Sequence, residues 1–592
     1  MTVTEKLDAL RREMQQHQID AWIVPTADPH HSEYVAPCWQ TRAWMSGFTG
    51  SAGTLVVTQH RAGLWTDSRY FIQAASELAG SGIELLKLHM PDVPDYPEWL
   101  LKELPECAIV GFDGQVLSMA QMEQLQNVLA PKQVQFTVHH DLVAPLWIDR
   151  PPIPTTPVFL LDGRFAGESR RSKLGRLRHK LREIGADLYL LCSLDEIAWV
   201  FNIRGRDIAY NPVTISYATI SEHEARLFIN PEKVSEEVKS VLEEDGVMFS
   251  AYEEIDSYIA QLPDKSSVAI DPQKTSLALR KSIPSTCSVI EMPSLVTPLK
   301  AVKNVTEVQG IRHAHIRDGV ALVKWLSWLD QQQLDKDTFT EFTITDSLEA
   351  FRRQGEYFQG LSFSPIAGYQ ANGAMCHYRA MPDTALTIKP EGLLLVDSGA
   401  QYLDGTTDIT RTLTLSPPTR EQRRDFTLVL KGHIALATAK FPKGTTGAQL
   451  DTFARAALWQ HGFNYGHGTG HGVGHFLNVH EGPHSIHPRN TVPFEPGMLC
   501  SNEPGLYREG EYGIRIENLL LTVPAEETEF GVFCQFETVT QCPIDLQLVD
   551  AGLLSPGEKA WLNAYHETVY TTLAPFLADN EQAWLREATR PI

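Results

Sequence analysis

The chain has few cysteines and arranges none of them for chemistry: eight in 592 residues, with no C-x-x-C pair and no framework spacing. That pattern fits reduced thiols in a reducing compartment, without disulfides or a structural zinc. Positive charge is also scarce, with 51 Lys and Arg against 73 Asp and Glu, a formal net charge of −22. Such a balance argues against a nucleic-acid partner, because phosphate binding needs clustered cations. No apolar run is long enough to cross a membrane, which excludes a spanning segment. The opening MTVTEKLDALRREMQQ lacks the apolar core of a signal peptide and reads as a polar amphipathic helix, so the expected address is cytoplasmic, with no membrane partner.

What is present is a long chain with ordinary globular composition, 43% hydrophobic. At about 150 residues per domain it predicts three or four domains. A proline-dense stretch, DRPPIPTTP at 149–157, separates a first block, 1–150, from a second, 155–300. A second boundary lies in MPSLVTPLKAVKN at 292–304, where Asn304 and Glu307 form a capping box opening a long amphipathic helix. A third block then runs over 304–525 and a C-terminal extension over 526–592. The first two blocks echo one another. LRREMQQHQIDAWIV from Leu10 aligns without a gap on LRHKLREIGADLYLL from Leu177, pairing Asp20 with Asp187 in a helix-then-strand pattern. The expected fold is therefore multidomain α/β, with two similar N-terminal domains.

The third block holds YGHGTGHGVGHFLNVHEGPH, residues 465–484. Histidines spaced by four would share a helix face, but Gly466, Gly468, Gly470, Gly472 and Gly474 each cost a helix interior about 0.8–1 kcal/mol, so an extended or looped chain is predicted. With a period of two, His467, Thr469, His471, Val473 and His475 would point the same way. A solvated or weakly metal-binding tract is the plainer alternative.

The acids decide between them. EGLLLVDSGAQYLDGTTDITRTLTL reads as a strand ending at Asp397, a turn, and a second strand containing Asp408. LCSNEPGLY brings Glu503 before a Pro-Gly turn, and YGIRIENLLLT sets Glu517 inside an apolar strand. Each alone is explained as a turn, cap or surface residue. Buried acids, however, are almost always paired or coordinated, and four of them with one imidazole make a hard, oxygen-rich set. Such a set suits manganese, or cobalt and zinc as substitutes, with donors enough for two divalent ions.

The ordered motifs D-S-G, T-D-I-T-R-T, G-T-G-H-G-V-G, N-E-P-G and R-I-E-N resemble the pita-bread metallopeptidases, and among them the long, three-domain, cytosolic Xaa-Pro aminopeptidases. The resemblance spans essentially the whole chain and implies two creatinase-like α/β domains, a pita-bread α+β catalytic domain and a C-terminal extension. It implies Asp397, Asp408, His471, Glu503 and Glu517 as metal ligands, with Asp408 and Glu517 bridging the ions. It places His467, His480 and His377 in the substrate pocket as hydrogen-bond donors. Arg69 becomes a peptide contact, for which an ion pair within its own domain is the alternative. Arg515, two residues before Glu517, stands on the substrate side with an ion pair to the acids as its expected task. His475 and His484 read as structural.

The implied reaction removes one residue from peptides with proline second, a hydroxide shared by two ions attacking the Xaa-Pro carbonyl and Glu503 moving the proton. A tertiary amide has no N–H, so its pocket can be apolar. A prolidase-like dipeptidase shares the ligands, a creatinase lacks them, and a noncatalytic peptide-binding module of this fold has typically lost some. The resemblance also implies a homodimer supported by the apolar stripe of AWLNAYHETVYTTLAPFL at 560–577, which otherwise packs on its own catalytic domain.

Overall fold

The computed structural model describes residues 1–138, 141–336 and 338–592. Two compact units result, one of residues 1–160 with 168–296, the other of residues 161–167 with 297–592.

The first unit contains two six-stranded mixed sheets built to one plan. In the first, Ala21–Pro25 pairs antiparallel with Thr54–Thr58 and parallel with Ile109–Phe112. In the second, Leu188–Leu191 pairs antiparallel with Ser216–Ser221 and parallel with Ser267–Ile270. Numbered from its first strand, each sheet runs 4-3-2-1-5-6. The aligned aspartates do the same work in both. Asp20 accepts the Ile109 N–H at 2.7 Å, and Asp187 accepts the Ser267 N–H at 2.8 Å, each pinning the start of the parallel neighbour. Identical topology together with an identical side-chain device is what a duplicated unit produces.

In the second unit the helix Val305–Asp330 opens on the expected capping box: the Asn304 side chain accepts the Glu307 N–H, and the Glu307 carboxylate accepts the Asn304 N–H. The short helix Gly163–Ala166 belongs with this unit because Asn304 donates to the Ala166 carbonyl at 2.8 Å and Phe165 packs edge-on against Tyr357. Gly310 lets the long helix approach the Asp404 carbonyl, which a Cβ would meet at 2.4 Å. A three-stranded sheet, Ile366–Tyr369, Leu393–Ser398 and Ile409–Thr414, stands beside a six-stranded one whose inner members are Gly531–Thr538, Asn518–Thr528, Leu499–Asn502 and Gly470–Gly472. The boundary expected at 525/526 falls inside the strand Asn518–Thr528, which continues into a hairpin with Gly531–Thr538.

The tail helix Pro556–Leu573 buries Leu562, Tyr565, Val569 and Leu573 in one cluster with Leu428, Val429 and Ile434 of the helix Arg420–Ala437, and buries His566 as well. The apolar stripe thus packs on its own chain, leaving those side chains no surface to offer a second copy.

That packing buries imidazoles. The Ile544 N–H donates to His566 Nε2 at 3.0 Å, and Asn518 lies 3.2 Å from His433 Nε2. Burial, assisted by the Arg411 charge, pushes both rings down to about 3 from an ordinary 6.5. Unfolding therefore takes up protons between those values, and this part of the stability is full above about pH 6.5 and drains away toward pH 3, at about 1.4 kcal/mol per pH unit for each ring. The midpoint of thermal unfolding should fall between pH 6.5 and 5, and His566→Gln, whose amide oxygen can still accept the Ile544 N–H, should flatten that slope in calorimetry. An unchanged slope would show that His566 is not among the groups responsible.

Candidate metal centre

Two hairpin strands bring the first acids together. Asp397, next to last in Leu393–Ser398, lies opposite Thr410 of Ile409–Thr414, and Asp408 immediately precedes that second strand rather than standing within it. Glu503 follows Leu499–Asn502 and donates its N–H to the Thr469 carbonyl at 2.8 Å. Glu517 occupies the break between the strands Tyr512–Arg515 and Asn518–Thr528, with its N–H on the Thr410 carbonyl at 3.1 Å. Sequence placed it mid-strand; the chain changes sheets there, and that turns the side chain into the site.

His471 completes the cluster. Its Nε2 lies 3.4 Å from Asp408 Oδ2 and 3.5 Å from Glu503 Oε1. Its Nδ1 donates to the Gly472 carbonyl at 3.0 Å, which leaves Nε2 to face the acids, as a donor when protonated and as a metal ligand when neutral. Donor atoms of Asp408, His471 and Glu517 all fall within 4.8 Å of one another. The donors fit hard divalent ions on two grounds. Asp397 Oδ1 and Glu517 Oε1 are buried without a hydrogen-bond partner among the described residues, and four carboxylates with one imidazole are the ligands such ions prefer.

The electrostatics agree. Burial and then the Asp408 charge hold Glu517 well above the usual carboxylate range, and burial raises Asp397 against the pull of Arg515. Glu503 is pushed up to about 7 by burial, opposed by His471. Burial works to lower His471, but Asp408 and Glu503 outweigh it and lift the ring to about 9. The protein supplies too little positive charge of its own for these acids.

Arginine adds to the positive charge of His471. Arg515 donates to Asp397 Oδ2 at 2.6 Å, to Thr410 Oγ1 at 3.1 Å and to the Tyr507 hydroxyl at 2.8 Å. The Tyr507 hydroxyl lies 2.8 Å from His467 Nε2, and His467 Nδ1 donates to the Gly468 carbonyl at 2.7 Å. Both nitrogens of His467 are thus engaged by protein, and a bond to substrate requires one to exchange partners. Behind the acids, buried Arg411 donates to the carbonyls of Glu517, Thr410, Cys542 and Pro543, to the Asn518 side chain and to the Tyr565 hydroxyl. Sequence reasoning passed over Tyr507 and Arg411 although both sit inside quoted motifs. An aromatic four residues after Glu503 and an arginine in a strand carry no signal until their partners are known.

The Gly-His segment is not helical, as its glycines require, but it forms a strand only over Gly470–Gly472 and so has no single extended face. Thr469 turns away to donate to Asp451 at 2.6 Å, and the register shifts after His471. His480 meets His471 edge to face, ring centroids 4.3 Å apart, and its neighbour Glu481 is gripped by buried Lys300 and Lys303. His484 Nε2 donates to the Leu499 carbonyl, and burial pushes its ring down to about 4. His475 is buried. His377 follows the short turn Gln370–Ala374, next to Cys376, whose thiol is pushed up by burial against the Arg515 charge. Arg69 lies in the first unit, where Asp67 holds its guanidinium through two bonds of 2.7 Å, the ion pair that was its alternative reading.

Comparison with known proteins matches residues 6–146 and 149–307 each to a creatinase/prolidase N-terminal domain, residues 309–524 to metallopeptidase family M24, and residues 532–592 to the C-terminal region of peptidase M24. A probable Xaa-Pro aminopeptidase P of Laccaria bicolor is 42% identical over 608 positions covering 100% of this chain and 94% of the relative. Aminopeptidase P2 of Arabidopsis thaliana is 40% identical, covering 100% and 89%. The crystal structure of an X-prolyl aminopeptidase from Caenorhabditis elegans, described as a cytosolic enzyme with a di-nuclear active site, matches with a TM-score of 0.95 at 36% identity over 100% of both chains. A Xaa-Pro dipeptidase from Bacillus anthracis, 24% identical with a TM-score of 0.51, covers 64% of this chain and shares the fold. With two creatinase-type domains, a catalytic domain and relatives similar from end to end, the chain belongs to the Xaa-Pro aminopeptidase P group of metallopeptidase family M24.

Proposed function

We propose that this protein is a dinuclear-metal aminopeptidase that releases the N-terminal residue from peptides with proline in second position. The observation that carries the reading is the convergence of Asp408, His471 and Glu517, with Asp397 and Glu503 beside them, on one buried site. Support comes from full-length relatives that bear this activity in their names. Asp397, Asp408, His471, Glu503 and Glu517 would hold two divalent ions, with manganese the expected occupant and cobalt or zinc exchangeable with it. Such ions supply Lewis-acid polarisation of a carbonyl and make a water acidic enough to react near neutral pH.

The protein's own groups do the rest. Glu503, whose carboxylate lies 3.5 Å from His471 Nε2 beside the other acids, is placed to take a proton from the attacking water and pass it to the leaving amine. His480 and His377 offer hydrogen bonds to peptide carbonyls, and His467 does so on leaving Tyr507 or Gly468. Arg515 steadies Asp397. A dipeptidase reading has less behind it, since the Bacillus anthracis dipeptidase covers 64% of this chain. A cytoplasmic location accords with the cytosolic Caenorhabditis elegans enzyme; among the described residues no helix is long and apolar enough to cross a membrane. A homodimer is also part of the proposal, using a face other than the tail stripe. A monomeric mass by light scattering at micromolar concentration would remove it.

Chelation should abolish hydrolysis of a tripeptide with proline second, and manganese should restore it, while a dipeptide ending in proline should be a poor substrate. Full activity in protein shown by elemental analysis to be metal-free would refute the metal mechanism, and preference for the dipeptide would favour the prolidase reading.

Within the Gly-His segment the roles should separate. His471→Ala should lose metal and turnover together, whereas His467→Ala should keep its metal and lose about 10²–10³ in kcat, about 2.7–4 kcal/mol of transition-state stabilisation. Equal metal loss in both variants after dialysis would make the segment a single metal-holding unit.

A further inference from the structure

Glu341 opens the helix Glu341–Arg352 and is fully buried, 0% exposed. A carboxylate so placed must be satisfied by donors. Its partners all come from one stretch of chain. Oε1 accepts the Tyr369 N–H at 2.8 Å and the Asn372 amide at 3.0 Å. Oε2 accepts the Tyr378 hydroxyl at 2.7 Å, the Leu386 N–H at 2.8 Å and the Asn372 amide at 3.1 Å. The Glu341 N–H in turn donates to the Leu386 carbonyl at 3.0 Å. The helix N-terminus adds favourable dipole charge to the same carboxylate.

These contacts fall at both ends of segment 369–386 and on the residue directly after His377. The same segment approaches the Arg515 strand backbone to backbone: a Cβ on Gly513, two residues before Arg515, would meet the Gly373 carbonyl oxygen at 1.7 Å, so turn and strand meet glycine to glycine. The segment is otherwise irregular, its one regular piece being the short turn Gln370–Ala374. A loop with little ladder bonding of its own keeps a fixed shape only through side-chain anchors.

We infer that Glu341 is a positioning residue, one that fixes segment 369–386 as a rigid wall of the substrate site and acts on catalysis through His377. The inference rests on the proposed aminopeptidase reading for its catalytic half; the rigidity half stands without it. Glutamine is a poor substitute, because each carboxylate oxygen accepts a backbone N–H, from Tyr369 on one side and Leu386 on the other, and the NH₂ would face one of them.

The test uses full-length, metal-loaded protein and four forms: wild type, Glu341→Gln, His377→Ala and the double variant. Hydrogen exchange should accelerate at least tenfold in segment 369–386 of the Glu341→Gln protein, with metal content unchanged. On a tripeptide with proline second, Glu341→Gln should lower kcat/KM by about 10–100-fold, the scale of a misplaced catalytic contact, yet lower it by no more than about twofold when His377 is already alanine. Should Glu341→Gln not fold, Tyr378→Phe, which removes one donor and leaves the charge, carries the same cycle with a smaller effect. Unchanged exchange in segment 369–386 overturns the inference, and so does a Glu341→Gln loss that persists in full beside His377→Ala, since that is the additivity of a merely structural change. Failure of the aminopeptidase reading looks different: metal-loaded wild type would leave the tripeptide intact, and the exchange measurement would still decide the role of Glu341.

Discussion

Repulsion among buried carboxylates is the constraint around which the second unit is built. Asp397, Asp408, Glu503 and Glu517 come from separate segments, and each would be expensive to bury alone. The chain meets part of that cost with Arg515 on Asp397, with the Thr410 hydroxyl on Glu517 at 2.8 Å, and with Arg411 behind the strands. The rest calls for counter-charge beyond what the described residues supply. Holding like charges together in a fixed shape is what makes such a cluster a strong cation site and a weak contributor to stability.

Arg411 shows how far the influence of that constraint extends. Its guanidinium carries donors on three nitrogens, and buried donors must find an oxygen. The oxygens come from the Glu517 turn, from Cys542 and Pro543, and from Tyr565 on the tail helix. The C-terminal extension is accordingly part of the floor of the site, and its apolar stripe is consumed in holding it there. The residues that follow His480 and His377 are tied down in a similar way, Glu481 by Lys300 and Lys303 and Tyr378 by Glu341.

The two N-terminal sheets show a different economy. Their identical strand order and the matched tasks of Asp20 and Asp187 preserve one scaffold in two copies. Local pattern was enough to find this, because an aspartate before a buried strand that pins its parallel neighbour leaves the same trace in sequence each time.

From the sequence by itself followed the grouping of four acids with His471, the duplicated α/β blocks, the capping box at Asn304 and the nonhelical course of the Gly-His segment. All of these depend on residue type and short-range spacing, which a chain carries before it folds. Tertiary structure alone decided that Glu517 sits at a change of sheet, that Thr469 leaves the face of His471, that His467 is tied to Tyr507, and that Arg69 pairs with Asp67. It also chose Arg411, Tyr507 and Glu341 from among many arginines, tyrosines and glutamates. Their roles are made of contacts between residues from a few to more than 150 positions apart, and a hydrogen-bond partner at such a distance has no signature in the local sequence that names it.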